Sequence, residues 1–286
     1  MFRLFCQQQN KKTEAPCPVI LFVFSRAGAY IAGVKIRRLC LFPRRTCGTV
    51  QEANNMADIA KVIQDRLSGQ ANPQKAEWLE NYVKHNIKSK GVGIPAIRAI
   101  VKEVNREYGL SSAPFHQQTN VLNRLMSSPF TEDKLAAVLY LQLFWKNTKP
   151  RAILDVTAGW FDHRWISDWN VCDWLCVRLL TPMVDTWPEA ALKEFAEWNK
   201  SACLWKARAS LVPFAQCKTL REHRKTVEIF STALIKREER FCKTAVGWVL
   251  REFSKLDTGF VQEFLARHRE WVTAEVRRNA LKYIKD

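Results

Sequence analysis

The chain has 286 residues, with 45 Lys and Arg against 28 Asp and Glu, which gives a formal net charge of +17. Hydrophobic residues make up 47% of the chain, enough for a large core, and the 11% aromatic content with only 10 Gly and 11 Pro excludes a disordered chain, a collagen and a loop-rich sandwich. Because basic residues so clearly outnumber acidic ones, a polyanion is the first partner to consider, either a nucleic acid or an anionic membrane surface.

The first 55 residues differ in composition from the rest. They hold nine basic and two acidic residues, four of the nine Cys and none of the 11 Trp. Their apolar stretch, residues 19–34, is shorter than the roughly 20 residues of a spanning helix and is interrupted by Arg26. The composition fits an organelle transit peptide; the alternative is that Met56 is the true start and the upstream stretch an extension of the gene model. We therefore expect a basic N-terminal extension over 1–55, outside the fold, and one folded domain over 56–286.

The cysteines do not form the pattern of a disulfide framework. Their total is odd, and Cys172 and Cys176, although four residues apart, are not followed by a second Cys/His pair at zinc spacing. Buried reduced thiols are favoured over a metal site, and neither a metal nor a cofactor is expected.

Helical signals recur from residue 72 onward without a convincing strand between them. Asn72 and Pro73 are typical of an N-cap and first helical residue, opening a helix to about Ile87. A second helix is predicted from Pro95 to Gly109, and a third opens at Pro129. Further helices are predicted over 151–161, 167–180, 188–199, 203–216, 223–235, 239–254, 258–268 and 271–284. The pattern predicts an all-α fold.

Three short strings resemble one another. Residues 206–209 and 243–246 match in register thirty-seven positions apart, and 134–137 are a weaker match seventy-two positions before the first. Helix pairs that recur at this interval indicate a HEAT- or armadillo-like α-solenoid of antiparallel helix pairs, with a concave basic face that a duplex could occupy. A compact irregular helical bundle is the alternative.

The most distinctive segment for chemistry is residues 165–174. Trp165, Trp169 and Asp173 recur there at every fourth position, so on a helix two indoles and one carboxylate would share a face. Buried tryptophans beside a solvated Asp would give the same pattern, and spacing alone leaves both interpretations open. The sequence has no phosphate-binding glycine loop, no H-E-x-x-H and no G-x-S-x-G.

Further along the chain, residues 205–208 and 245–253 each combine an aromatic residue with a cation. With the W-x-x-x-D of 169–173, these segments resemble the AlkD-like DNA alkylation repair family, the HEAT-like repeat alkylpurine DNA glycosylases. The opening 72–77 and the loop 91–95 match as well, and the similarity runs in order from about residue 60 to 285.

The resemblance implies a HEAT-like α-solenoid that excises cationic N3- or N7-alkylated purines from duplex DNA. By correspondence of positions, Asp173 is the catalytic carboxylate and Trp169 the aromatic residue beside it. Trp248 is the second aromatic residue of the cleft, Arg208 the cleft arginine that holds the DNA backbone, and Tyr82 a tyrosine on an early helix. In the loop, Gly93 and Ile94 replace a Gln and a Thr of the family pattern, so contacts made by that polar pair are absent here.

We therefore expect a monomeric DNA glycosylase that acts without cofactor or membrane association. Its location would be intracellular, or organellar if residues 1–55 are a transit peptide. The alternative is a non-catalytic HEAT-like scaffold that binds nucleic acid or an acidic protein, and convergence of the site residues on one surface would favour the enzyme. Phosphate contacts are expected from basic helix faces, the candidates being Lys236, Arg237, Arg240, Lys243, Arg277, Arg278 and Lys282.

Overall fold

The computed structural model describes residues 30–31, 34–35, 48–147 and 149–284. The chain divides into two units, Met1–Cys47 and Gly48–Asp286. In the first unit, the strands β1 (Tyr30–Ile31) and β2 (Val34–Lys35) pair antiparallel, with Tyr30 opposite Lys35.

The larger unit is built from α-helices. In chain order these are α1 (Gly48–Gly69), α2 (Pro73–Tyr82), α3 (Ile94–Tyr108), α4 (Phe115–Met126), α5 (Thr131–Tyr140), α6 (Pro150–Asp162), α7 (Trp169–Leu175), α8 (Thr181–Thr186), α9 (Pro188–Asn199), α10 (Leu204–Leu211), α11 (Arg224–Ile235), α12 (Arg240–Phe253), α13 (Thr258–Arg267) and α14 (Ala274–Ala280). Because α1 begins at Gly48, this unit starts upstream of the boundary expected at Met56. Apart from β1, β2 and the start of α1, the expectations for residues 1–55 lie outside the described residues.

The helices pack in two adjacent rows. The first row consists of α3, α5, α7, α10, α12 and α14, in which each helix contacts the next; the second consists of α4, α6, α9 and α11, likewise in succession. Contacts of α4 with α5, α9 with α10, and α11 with α12 join the two rows. Stacked helix pairs of this kind are the arrangement of a HEAT-like α-solenoid, so the predicted fold class is confirmed.

The repeated strings found in the sequence occupy equivalent places in this arrangement. Lys134, Lys206 and Lys243 lie on α5, α10 and α12, all in the first row. The Lys134 Nζ donates to the Trp165 carbonyl at 2.7 Å, and the Lys243 Nζ to the Trp271 carbonyl at 3.0 Å. Trp165 lies in the segment that leads into α7, and Trp271 in the segment that leads into α14, the next helix of the row in each case. The same lysine-to-carbonyl contact therefore recurs after α5 and after α12.

Most predicted helices are present. Asn72 caps α2 by accepting a hydrogen bond from the Lys75 backbone N–H at 3.0 Å, and Gly109, whose φ is +63°, is the C-cap of α3. The first predicted helix is too long, because α2 ends at Tyr82 rather than near Ile87. Three of the described helices, α1, α4 and the short α8, are not among the predicted ones.

The omission of α4 has a physical reason. Its apolar positions, apart from Phe115, are confined to the second half, where Val121, Leu122 and Leu125 are buried, so the helical period covers too few turns. In α1 the signal was present, since Ile59, Ile63 and Leu67 recur every four residues and are buried.

The loop between α2 and α3 is held by a buried carboxylate. Glu132, in the first turn of α5, accepts hydrogen bonds from the Ser89 hydroxyl at 2.7 Å and from the backbone N–H groups of Lys90 and Gly91 at 2.8 and 2.9 Å. The φ of Gly91 is +72°, and a Cβ there would lie 2.1 Å from the Asn72 carbonyl oxygen. This position therefore requires glycine for both conformation and space.

A second glycine permits a close helix contact. A Cβ at Gly247 of α12 would lie 3.3 Å from both Cα and the carbonyl oxygen of Val276 in α14. The absence of a side chain lets these helices approach closely, directly beside Trp248.

Replacing Gly91 by Ala should destabilise the fold by about 3 kcal/mol or more, because the methyl group collides with backbone atoms and the positive φ is strained. The matched control is Gly159→Ala in α6, where an added Cβ would have no atom of the described residues within 4 Å of it. Helix propensity predicts that this control gains about 0.5–1 kcal/mol. Urea unfolding of both variants measures the difference, and equal stabilities would contradict the proposed fit at Gly91.

Candidate functional site

Three neighbouring helices of the first row bring the predicted site residues together. Trp169 and Asp173 lie on α7, Arg208 on α10 and Trp248 on α12. Trp169, Asp173 and Trp248 line one cleft of about 270 Å³, which is open to solvent, and Arg208 contacts Asp173 from the protein side.

The position of α7 depends on its N-cap. Asp168 is completely buried, and its Oδ1 accepts a hydrogen bond from the Val171 backbone N–H at 3.1 Å. The helix therefore starts at Trp169, which places Trp169 and Asp173 one turn apart on the same face. Trp165 precedes the helix and stacks on His163, with ring centroids 4.6 Å apart, so the expected three-residue face contains only Trp169 and Asp173.

Asp173 and Arg208 form a bidentate ion pair. The guanidinium Nε donates to Oδ1 at 2.8 Å, and Nη2 donates to Oδ2 at 2.9 Å. The Arg208 side chain is 5% exposed, whereas that of Asp173 is 17% exposed. Arg208 therefore holds the carboxylate from the protein interior, and one edge of the carboxylate faces the cleft.

The remaining contacts of Arg208 tie α10 to α12. Its Nη1 donates to the Phe241 carbonyl at 2.6 Å and to the Thr244 hydroxyl at 3.2 Å. Burial by itself lowers the pKa of Arg208, but attraction to Asp173 outweighs it, and the pKa is raised above the usual value. These contacts enclose the Arg208 guanidinium in the free protein, and its contact with the DNA backbone stays a prediction.

An aromatic cluster extends from the cleft toward α2. The ring of Tyr82 meets Trp169 edge to face at 4.8 Å, and Trp78 stacks on Tyr82 at 5.3 Å with an interplanar angle of 12°. Trp78 and Tyr82 are 65% and 53% exposed, an unusual state for large aromatic side chains. Tyr82 thus lies at the site as expected, and Trp78 is a neighbour that the sequence analysis did not identify.

The cleft contains further residues that sequence reasoning missed. Asn170, Trp174 and Arg178 also line it, and the Arg178 guanidinium lies 5.1 Å from the centre of a Trp174 ring. The signal was available, because a Trp and an Arg four residues apart on a helix are able to form a cation–π pair.

The loop positions that depart from the family pattern do not line this cleft. Gly93 is the N-cap of α3 without a side-chain hydrogen bond, and Ile94 packs against the core.

The two cysteines of this region are buried. Cys172 and Cys176 are both inaccessible to solvent and free of disulfides. Burial, and next the neighbouring Cys176, raise the pKa of the Cys172 thiol well above its usual value. This environment is that of an inert core thiol.

Behind α7 lies a buried lysine. The Lys134 Nζ donates to the carbonyls of Met126 and Trp165 at 2.5 and 2.7 Å. Burial lowers its pKa to about 8, against the attraction of Asp168 and Asp133, and burial also raises the pKa of Asp168. The N-terminal end of α7 is therefore held by polar groups that the protein interior strongly perturbs.

Within the described residues, no cluster of three or more His, Cys, Asp or Glu side chains has a geometry suited to a metal ion. Among the helices that the structure describes, none combines the length and hydrophobicity needed to cross a membrane.

Replacing Arg208 by Met should destabilise the protein by about 3–5 kcal/mol, because it leaves the largely buried Asp173 carboxylate without its partner. The matched control is Lys206→Met, which breaks the ion pair with Asp162. Because the Asp162 side chain is 60% exposed, this change should lower the free energy of unfolding by at most about 1 kcal/mol. The double variant Arg208→Met/Asp173→Leu should recover much of the loss in urea unfolding. A loss from Arg208→Met no larger than that from Lys206→Met would contradict the structural role of the pair.

Lys134 should make stability depend on pH. Between pH of about 8 and 10.5 the unfolded chain holds a proton on Lys134 that the folded protein has released, so the free energy of unfolding rises with pH. Relative to Lys134→Met, wild type should gain up to about 1.4 kcal/mol per pH unit in this window. Urea unfolding of both proteins at pH 7, 8.5 and 10 measures the difference; a difference that does not change with pH would contradict the lowered pKa.

Residues 63–284 match the model of a family described as DNA alkylation repair enzyme. Among solved structures, a predicted DNA alkylation repair enzyme from Enterococcus faecalis is similar, with a TM-score of 0.63 and 19% identity over 76% of this chain and 98% of that chain. At this identity the likeness supports the fold. The curated proteins give no match. Because the family model spans well over half of the sequence, the chain belongs to the DNA alkylation repair enzyme family, with a role in the repair of alkylated DNA.

Proposed function

We propose that this protein is a DNA glycosylase that hydrolyses the N-glycosidic bond of cationic N3- or N7-alkylated purines in duplex DNA. The observation that carries the proposal is the placement of one accessible carboxylate, Asp173, beside Trp169 and Trp248 in an open cleft. A scaffold that only binds a polyanion gains nothing from a carboxylate there, because it repels phosphates. The convergence of these residues therefore favours the enzyme over the non-catalytic scaffold.

The leaving group explains why one carboxylate suffices. Most glycoside hydrolases need a carboxylic acid to protonate the leaving group and a second carboxylate on the opposite side. A purine alkylated at N3 or N7 already carries a positive charge and departs as a neutral base. The acid is then unnecessary, and only the developing charge on the sugar requires stabilisation.

Asp173 is suited to that role. Each of its carboxylate oxygens accepts one hydrogen bond from Arg208, which leaves further lone pairs on the exposed edge. This edge can face the oxocarbenium-like sugar and accept a hydrogen bond from the attacking water. The guanidinium offsets part of the carboxylate charge, but it fixes the orientation, so little reorganisation is needed as the bond breaks. Arg208 is thus a positioning residue.

The aromatic residues complement a cationic substrate. An indole face attracts a cation by about 0.5–2 kcal/mol, depending on desolvation. Trp169 and Trp248 would supply this attraction beside Asp173, and Tyr82 would support the ring of Trp169 through its edge contact. Since the cleft is open and Asp173 is only partly exposed, the geometry suits contact with the sugar and backbone more than full enclosure of a flipped base.

Replacing Asp173 by Asn should lower the single-turnover rate of 7-methylguanine release from methylated duplex DNA by about 10²–10³-fold, because the stabilising charge is lost while the shape is kept. The matched control is Asp162→Asn, which removes an ion-paired carboxylate from α6 that contacts α10 at Lys206. This control should release base at the wild-type rate. Circular dichroism should show that both variants are folded, and unchanged release by Asp173→Asn would refute the mechanism.

A second substrate tests the role of the leaving group. A duplex containing a neutral damaged base, such as hypoxanthine, should yield no release, since the cleft supplies no acid to protonate it. Release of hypoxanthine at a rate similar to that of 7-methylguanine would contradict the proposed chemistry.

A further inference from the structure

A second pocket lies next to the cleft and has a different chemical character. Its volume is about 380 Å³, and its lining includes His85, Lys88, Lys134 and Arg164. None of the described residues that line it carries a carboxylate. Lys88, His85 and Arg164 are exposed, and they form no ion pair with any residue that the structure describes. The pocket therefore concentrates positive charge that the protein itself does not neutralise.

Hydroxyl groups complete the lining. Ser127, Ser128 and Ser167 all face this pocket. The Ser127 and Ser128 hydroxyls donate to the Arg124 carbonyl at 3.1 Å and to Asp133 at 2.6 Å, whereas the Ser167 hydroxyl has no hydrogen-bond partner among the described residues and is the one serine left to donate. The unpaired Lys88 and Arg164 side chains, with the Ser167 hydroxyl beside them, are donors of the kind that bind phosphate oxygens.

The backbone around the pocket is strained. In the described residues, a positive φ at a residue other than glycine occurs only at Lys84, His85 and Arg164, each with a value of 57°. Two of these three, His85 and Arg164, line the pocket, and Lys84 directly precedes one of them. These residues directly follow the last turns of α2 and α6, where the His85 N–H donates to the Glu80 carbonyl at 2.8 Å and the Trp165 N–H to the Trp160 carbonyl at 3.0 Å. The left-handed conformation thus ends each helix and fixes the position of His85 and Arg164 at the pocket.

Both strained segments connect directly to the cleft. His85 follows Tyr82, whose ring contacts Trp169, by three positions; Ser167 precedes Trp169 by two. A phosphate in the pocket would therefore lie within a few nucleotides of a sugar at Asp173. By contrast, two of the cations expected to bind phosphate are already paired, Arg237 with Glu239 and Arg240 with Glu275.

We propose that this pocket binds one backbone phosphate of the DNA substrate beside the damaged nucleotide and so sets the register of the duplex on the cleft. The inference rests on the proposed function, because it takes DNA as the ligand. It would add a backbone contact to the one predicted for Arg208.

The test combines a double variant with a neutral linkage in DNA. The probe is a duplex with one tetrahydrofuran abasic-site analogue, which fixes the register, and with single methylphosphonate linkages placed in turn at neighbouring positions. Lys88→Gln/Arg164→Gln should weaken binding of the unmodified probe about tenfold and reduce the salt dependence, −d log K/d log [salt], by about 0.9 for the lost phosphate contact. At one linkage position the methylphosphonate should weaken wild-type binding but leave the variant unaffected.

The matched control is Lys193→Gln/Lys225→Gln, which removes the same charge from exposed positions on α9 and α11 of the second row. Thermal unfolding checks that both double variants are folded, as expected for exposed side chains. The inference is overturned if the two double variants bind alike, if variant and methylphosphonate effects add at every position, or if wild type does not bind the probe. A further outcome would also overturn it: inorganic phosphate binds wild type but not Lys88→Gln/Arg164→Gln, while the two proteins bind the DNA probe with equal affinity. The pocket would then bind free phosphate and not the DNA backbone.

These outcomes are separate from the test of the proposed function. If wild type releases no alkylated base but the non-additive linkage is found, the glycosylase proposal fails and the phosphate pocket stands. If base is released but no linkage is non-additive, the pocket proposal fails alone.

Discussion

The buried ion pair between Asp173 and Arg208 is the interaction on which the arrangement of the site depends. It joins α7 to α10 through two hydrogen bonds of 2.8 and 2.9 Å, and the same guanidinium reaches α12 through Phe241 and Thr244. Desolvating two charges is costly and is tolerated only with good geometry and further hydrogen bonds, both of which are present. A hydrophobic contact could hold the helices equally well, and the charged pair differs from it in leaving one carboxylate edge exposed to the cleft.

Two different kinds of contact surround this pair. On the protein side, the helices of the first row are fixed by core packing and by the Gly247 contact between α12 and α14, which backs Trp248. On the solvent side lie the exposed rings of Trp78 and Tyr82, the latter in contact with Trp169. The pocket at Lys88 adds cations that pair with no described carboxylate. Rigid support behind a carboxylate and available cations beside it are what a site acting on a polyanion needs.

Sequence patterns predicted much of this, and their failures have physical causes. Caps and helical periods located most helices, because Asn72 and Gly109 act locally, whereas α4 has too few apolar turns to be recognised. Spacing placed Trp169 and Asp173 on one face but wrongly added Trp165, since the buried N-cap Asp168 starts the helix after it. The burial of Arg208 and the exposure of Trp78 depend on distant neighbours, which no local pattern records.

The spacing of the site along the chain bears on how the protein folds. Asp173 and Arg208 are 35 positions apart, and Arg208 and Thr244 are 36 apart, so each bond joins consecutive stacked layers rather than the ends of the chain. In repeat proteins, stability is a sum of neighbouring interfaces, and short sequence separations favour rapid assembly. During synthesis the complete cleft therefore forms as soon as α12 has emerged and docked on α10, with each layer providing the surface on which the next one settles.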